Sequence, residues 1–210
     1  MLVSGGFYFP DNERHFTALG DDVANYQKPQ REKAYEYVQN WRCAVDIGAH
    51  VGIFSCDFAQ RFERVVAFEP MPSTRECLLR NVPGNVDVKP FACGSHPGKV
   101  RMERSTKNSG GSRIIAADAM VDSLIEVEVV TLDSFGFEAV DLIKLDVEGF
   151  EPEAILGAEQ TMRRCMPVVI VEEKLKPGNF DHVKRASELL LSFGYSKGEL
   201  VGADRIYVVR

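Results

Sequence analysis

The stretch "CAVDIGAHVGIFS", Cys43 to Ser55, runs a short apolar strand into Gly48, and Gly52 follows just before a helical stripe. That is the opening of a strand-turn-helix unit, and its texture returns along the chain. "RVVAFEP" leads into a helix opened by Pro72, "DLIKLD" into one after Pro152, and "PVVIVE" into one from about His182 to Phe193. Strands that alternate with helices predict a mostly parallel sheet covered on both faces, with right-handed crossovers. In such sheets ligands bind at the carboxyl ends of the strands, near the switch point. The residues at those ends therefore carry the functional information.

The remaining segments complete an α/β reading as one domain, 1–210. An irregular arm through Gln27 precedes a first helix after Pro29, whose buried stripe is Ala34, Tyr37, Val38 and Trp41 at i, i+3, i+4 and i+7. Residues 1–42 form this arm and helix, and 43–210 form the core. The helix after the glycine loop is expected from about Val51 to Phe62, and a third short strand at Val86 to Lys89. Between about 98 and 132, "KVRMERS" and "IEVEVVTL" alternate apolar and charged residues, which describes a β-hairpin insertion with one wet face. They flank the polar loop "TKNSGGSR". The chain closes with "YSKGELV" and "DRIYVVR", an antiparallel hairpin that makes the last strand of the sheet antiparallel.

Charge and composition narrow the partners. With 25 basic against 31 acidic residues the formal charge is −6, which opposes a broad phosphate-tracking surface and disfavours nucleic acid. The longest strongly apolar run, "MPVVIV", is too short to span a bilayer, and the N-terminus has no leader pattern, so a cytoplasmic protein is expected. The five cysteines include no C-x-x-C pair and signal neither a disulfide framework nor a zinc site.

At the first strand end the pattern is D-x-G-x-x-x-G, not the G-x-G-x-x-G of a nicotinamide-binding loop. An acid two residues before the glycine suits a cationic amino-acid group better than a diphosphate. Asp46 is thus a candidate for the amino-acid end of S-adenosylmethionine, with Gly48 and Gly52 allowing close approach; a merely tight turn is the plainer reading. Glu69 falls about 20 residues on, where a carboxylate accepts both hydroxyls of a ribose. Met71 after it is placed to pack on an adenine, or simply in the core. On the fourth strand Leu142, Lys144 and Asp146 share one face and Ile143, Leu145 and Val147 the other. A lysine inside a central strand needs an anionic partner; Asp146 and Glu172 make this a polar cluster, structural or catalytic.

"VDIGAHVGIFS", "VVAFEPMPSTRECLLRNV", "TLDSF" and "DLIKLDVEGFEPEAILGA" together resemble the FkbM family of S-adenosylmethionine-dependent methyltransferases. The resemblance covers about Val45 to Val171. It implies the class I methyltransferase (Rossmann-like) fold, S-adenosyl-L-methionine as cofactor, and O-methylation of a sugar or other small-molecule acceptor. The implied cofactor-binding residues are Asp46, Gly48, Ala49, His50, Gly52, Glu69, Pro70, Met71, Ala92 and Asp146, with Ser109 and Gly111 from the polar loop. His50 departs from the family's usual asparagine and introduces a group whose charge varies near neutral pH.

Methyl transfer is an in-line displacement, so the protein aligns acceptor and methyl and removes a hydroxyl proton. The expected catalytic group is Asp146, Glu148 and Glu172, with Lys144 holding or tuning them. A divalent metal held by these carboxylates is a less favoured expectation. The rivals are a nicotinamide-dependent oxidoreductase, a ribose 2′-O or other nucleic-acid methyltransferase, and a non-catalytic cofactor-binding module.

Overall fold

The computed structural model describes residues 1–11, 13–103, 112–115, 124–174 and 180–209. Ser109 and Gly111 of the polar loop lie outside the described residues.

Among the described residues the main sheet has seven strands. The first glycine-loop strand, β3 (Cys43–Ile47), is followed by α2 (Ile53–Phe58), β4 (Arg64–Phe68), α3 (Pro72–Asn81) and β5 (Val86–Lys89). The second half comprises β10 (Leu142–Leu145), α4 (Glu151–Leu156), α5 (Glu159–Cys165), β11 (Val168–Glu172), α6 (Phe180–Ser192), β12 (Ser196–Val201) and β13 (Asp204–Val208). The spatial order is β12-β13-β11-β10-β3-β4-β5. The five strands from β11 to β5 are parallel, and β13 runs antiparallel to both β11 and β12. The switch point lies between β3 and β10, which pair directly although nearly a hundred residues apart, with Lys144 beside Asp46 in register.

The period of two in these strands sorts side chains onto two cores. Val45, Ile47, Ile143, Leu145, Val169 and Val171 pack against Ala154, Ile155, Met162 and Leu190 from α4, α5 and α6. Ala44, Leu142, Val168 and Ile170 face the other way, against Phe54 and Phe58 of α2 and Ala34 of α1 (Lys28–Tyr35). Asp46 and Lys144 belong to this second face by the same alternation.

Three differences from the sequence reading have local causes. Helix α1 stops at Tyr35, and four-residue turns closed by Tyr37 N–H to Ala34 O and Val38 N–H to Tyr35 O replace its expected continuation. Tyr37, Val38 and Trp41 still reach the same core, so the apolar spacing reported burial and not helix length. Helix α2 begins only at Ile53, because Gly52 sits at φ +93° and cannot be part of it. The insertion is more than a hairpin: β7 (Gly98–Glu103) pairs antiparallel with β9 (Leu124–Val130), and β6 (Ala92–Cys93) and β8 (Arg113–Ile115) flank them in a second, four-stranded sheet.

The N-terminal arm is built as β1 (Leu2–Ser4) paired with β2 (Phe7–Phe9), then a 3₁₀ segment over Thr17–Asn25. Asn81 ties this arm to the core: its amide donates to Tyr8 O at 3.0 Å and to Val51 O at 2.8 Å. Arg31, 1% exposed, donates to Tyr26 O at 2.5 Å and Ala24 O at 2.8 Å, and pairs with Asp57 at 3.1 Å. The arm is thereby clamped over the carboxyl ends of the central strands.

Candidate functional site

A cleft of about 340 Å³ opens at those strand ends. Gly48, Ala49, His50, Glu69, Pro70, Met71, Ala92, Lys144, Asp146, Glu148 and Glu172, all named from the sequence, line it. Asp46 and Gly52 do not.

The glycine loop is shaped by close approach. Gly48 has φ +79°, and a Cβ there would stand 1.9 Å from the backbone oxygen of Asp146, so no larger residue lets the β3 and β10 loops meet. At Gly52 a Cβ would come within 2.6 Å of Leu78, so this glycine serves the packing of the loop on α3. His50 lies between them at φ +53°, a region in which asparagine and histidine are enriched over other residues. The loop amides are already engaged: Gly48 N–H and Ala49 N–H donate to Phe68 O at 3.1 and 3.0 Å, and His50 N–H donates to Glu69 at 2.9 Å. This loop does not turn a row of amides toward a diphosphate in the way a dinucleotide loop does.

Glu69 ends β4 and is buried. One carboxylate oxygen accepts from His50 N–H and the other from Met71 N–H at 2.8 Å. Each oxygen keeps further acceptor capacity, and Glu69 lines the cleft. Burial pushes its pKa up to about 7, against the pull of the two amides. Arg75 holds the turn behind it, donating to the carbonyls of Glu69 and Pro70 at 3.1 and 2.9 Å. A diol such as that of a ribose donates two hydrogen bonds and needs an acceptor of this kind: a carboxylate held by backbone amides, next to the apolar side chains of Met71, Phe91 and Ala92.

Lys144 occupies the switch point. Its ammonium donates to Gly48 O at 2.9 Å, lies 3.5 Å from a carboxylate oxygen of Asp46 and of Asp146, and stands 5.2 Å from the Phe54 ring centroid. Burial alone would lower its pKa, but Asp146, Asp46 and Asp204 outweigh that and raise it. Asp46, fully buried, accepts from Ser55 Oγ at 2.6 Å with its other oxygen. In this arrangement Asp46 lies under the cleft floor as the counter-ion of Lys144. The carboxyl of Asp146 is about a third exposed and does face the cleft.

His50 does not carry the charge change expected near neutral pH. Burial pushes its pKa down to about 4, with Lys144 assisting, so the imidazole is neutral at physiological pH. Its ring packs on Phe16 of the arm, centroids 5.3 Å apart.

Sequence reasoning did not single out several contributors. Glu151 accepts from Val147 N–H and Gly149 N–H at 3.0 and 3.2 Å, fixing the loop in which Glu148 sits at φ +51°. Asp204, opposite Glu172 in register, is buried, and its pKa is pushed up to about 6 by burial and by Asp146. His15, Phe16, Tyr26 and Gln27 bring the arm into the cleft wall. The aromatic density of the arm was the available signal. Among the described residues no group of three or more His, Cys, Asp or Glu side chains is arranged to hold a metal ion.

Residues 46–197 match the model of the methyltransferase FkbM domain. The chain belongs to the FkbM methyltransferase family. It is 26% identical over 167 residues to methyltransferase sdnD of Sordaria araneosa, covering 61% of this chain and 64% of that protein. The crystal structure of methyltransferase FkbM from Methylobacillus flagellatus superposes with a TM-score of 0.56 at 16% identity, over 93% of this chain and 55% of that one. The O-methyltransferase of Bacillus cereus in complex with SAH gives 0.53 at 15% identity, over 89% and 80%. The chain thus spans 64% of the length of methyltransferase sdnD and 55% of that of the Methylobacillus flagellatus chain. These neighbours establish the class I methyltransferase fold, and membership of the FkbM family implies S-adenosylmethionine as cofactor.

Proposed function

We propose that this FkbM chain is an S-adenosylmethionine-dependent O-methyltransferase that acts on a hydroxyl of a small metabolite or sugar. The observation that carries the reading is that one cleft joins Glu69, a carboxylate held by two backbone amides, to Asp146, Glu148 and Glu172 at the ends of neighbouring strands. The cofactor supplies an electrophilic methyl on a sulfonium. Glu69 would accept the ribose hydroxyls, Met71 and Ala92 would contact the adenine, and the carboxylates near Asp146 would favour the cationic end. Asp146 takes the proton of the acceptor hydroxyl as the oxygen attacks, and Glu148 and Glu172 help to orient the acceptor. Lys144 holds Asp146 and the Gly48 carbonyl together, which keeps the base registered on the glycine loop. Positioning of this kind is worth several orders of magnitude in rate, and a general base about 10²–10⁴-fold.

The net charge of −6 and the acidic strand ends favour a small acceptor over nucleic acid. All five cysteines are free thiols, which suits the reducing cytoplasm. No helix among the described residues is long and apolar enough to cross a membrane. The test is mass spectrometry of metabolite extracts incubated with the protein and methyl-labelled cofactor. Labelled ethers are expected; cofactor binding without any transfer would make the chain a binding module, and labelled polynucleotide alone would move it to the nucleic-acid class.

A further inference from the structure

The residues that line the cleft come from three parts of the fold. Glu69, Met71, Phe91 and Ala92 follow β4 and β5, where the ribose and adenine of the cofactor are proposed; Asp146, Glu148 and Glu172 stand at the ends of β10 and β11; and His15, Phe16, Tyr26 and Gln27 come from the arm. Tyr26 lines the cleft, and the charges that act on its hydroxyl are Asp146, Asp204, Glu172 and Lys144, which lie on or next to β10, β11 and β13. Its backbone is held by Arg31 through the Tyr26 carbonyl, and the next residue, Gln27, turns at φ +50°. Its ring is braced edge-on by Phe16 at 4.7 Å and by His15 at 6.0 Å. A ring braced by two aromatic neighbours on an anchored backbone, on the cleft wall and within electrostatic reach of the proposed base, is a prepared contact surface.

We propose that Tyr26 is the acceptor-contacting residue of the arm, and that the acceptor is a neutral, hydroxyl-bearing ring lying between Tyr26 and the Asp146, Glu148 and Glu172 carboxylates. This rests on the methyl-transfer reading above. The ring, which lines the cleft, offers an apolar contact to an aromatic ring or to the apolar face of a sugar. The phenol is held protonated, by burial first and then by the three carboxylates, so it donates a hydrogen bond and does not compete for the acceptor's proton. An anionic acceptor would be repelled by the same carboxylates at close range.

The test compares wild type, Tyr26→Ala and Tyr26→Phe, each with an extract of neutral and acidic metabolites and methyl-labelled cofactor. Binding of S-adenosylhomocysteine is measured in parallel by calorimetry. The labelled products are expected to be neutral cyclic compounds, phenolic or saccharide, and mass spectrometry separates these two sources. For the labelled acceptor, Tyr26→Ala should raise KM at least tenfold while the S-adenosylhomocysteine Kd stays within twofold of wild type. Tyr26→Phe, which keeps the ring, should bring KM back to within about threefold. Labelled products that are acyclic or carboxylated overturn the acceptor class. An unchanged acceptor KM in Tyr26→Ala, or a loss of S-adenosylhomocysteine affinity as large as the KM change, overturns the role of Tyr26. A wild type that binds S-adenosylhomocysteine and labels nothing instead overturns the methyl-transfer reading itself.

Discussion

Cofactor affinity should depend on pH through Glu69, and the structure supplies the magnitude. The ligand-free carboxyl titrates near 7. Ribose hydroxyls donate to its ionised form, so the apparent Kd scales as 1 + 10^(pKa − pH), the population factor for the binding-competent state. Relative to high pH, affinity is about elevenfold weaker at pH 6 and about 1.1-fold weaker at pH 8, a tenfold gain across that interval. Near pH 7 each binding event should release about half a proton. The opposite trend holds for the ligand-free protein's stability. The unfolded Glu69 titrates near 4.3, so between there and about 7 the folded state holds the extra proton and stability falls as pH rises, by up to about 4 kcal/mol from this group.

Titration calorimetry in two buffers of different ionisation enthalpy reads both affinity and proton release. The ligand's own α-amino group titrates near 8, and Asp204 near 6, so Glu69→Gln over the same range provides the subtraction. That variant should bind about 10- to 100-fold more weakly. Its NH₂ would face either the His50 or the Met71 amide, both of which are donors. The tenfold gain between pH 6 and 8 that Glu69 contributes should vanish with it, leaving only the dependence due to the α-amino group and Asp204. A wild-type slope that survives in Glu69→Gln, or is absent from the start, refutes the assignment of the ribose to this carboxylate.

Because His50 is neutral throughout that range, His50→Asn should leave the pH slope intact in the same calorimetry. Gly48→Ala, forcing a Cβ against the Asp146 carbonyl at positive φ, should cost at least about 2 kcal/mol in urea unfolding and abolish cofactor binding. Asp46→Ala removes one of the two carboxylates beside the buried Lys144 ammonium and the acceptor of Ser55 Oγ, and should lose about 3 kcal/mol by the same unfolding assay. Asp146→Asn should lower turnover about 10²–10⁴-fold while the melting temperature moves only a few degrees, since that carboxyl is partly exposed; early unfolding with turnover retained per folded molecule would make it structural.

The backbone of the site was legible in the sequence because local chemistry dictates it. Gly48 and Gly52 mark positive-φ positions, Pro72 and Pro152 open helices, and strand alternation alone puts Lys144 and Asp146 on one face and Leu145 on the other. The strand-end acids could be named for the same reason. What tertiary structure decided is which of those groups meet. Asp46 and Asp146 have the same local signature, a carboxylate near the end of an apolar strand, yet one lies beneath the cleft against Lys144 and Ser55 and the other at its edge. Burial, which no short window reports, set the protonation of Glu69 and His50 in opposite senses from neighbouring positions. The arm, lacking any motif, became a wall of the site through Arg31 and Asn81, whose partners are carbonyls that only the folded chain brings within reach. Spacing along the chain determines periodicity and turns, whereas desolvation and pairing across strands depend on neighbours that are distant in sequence.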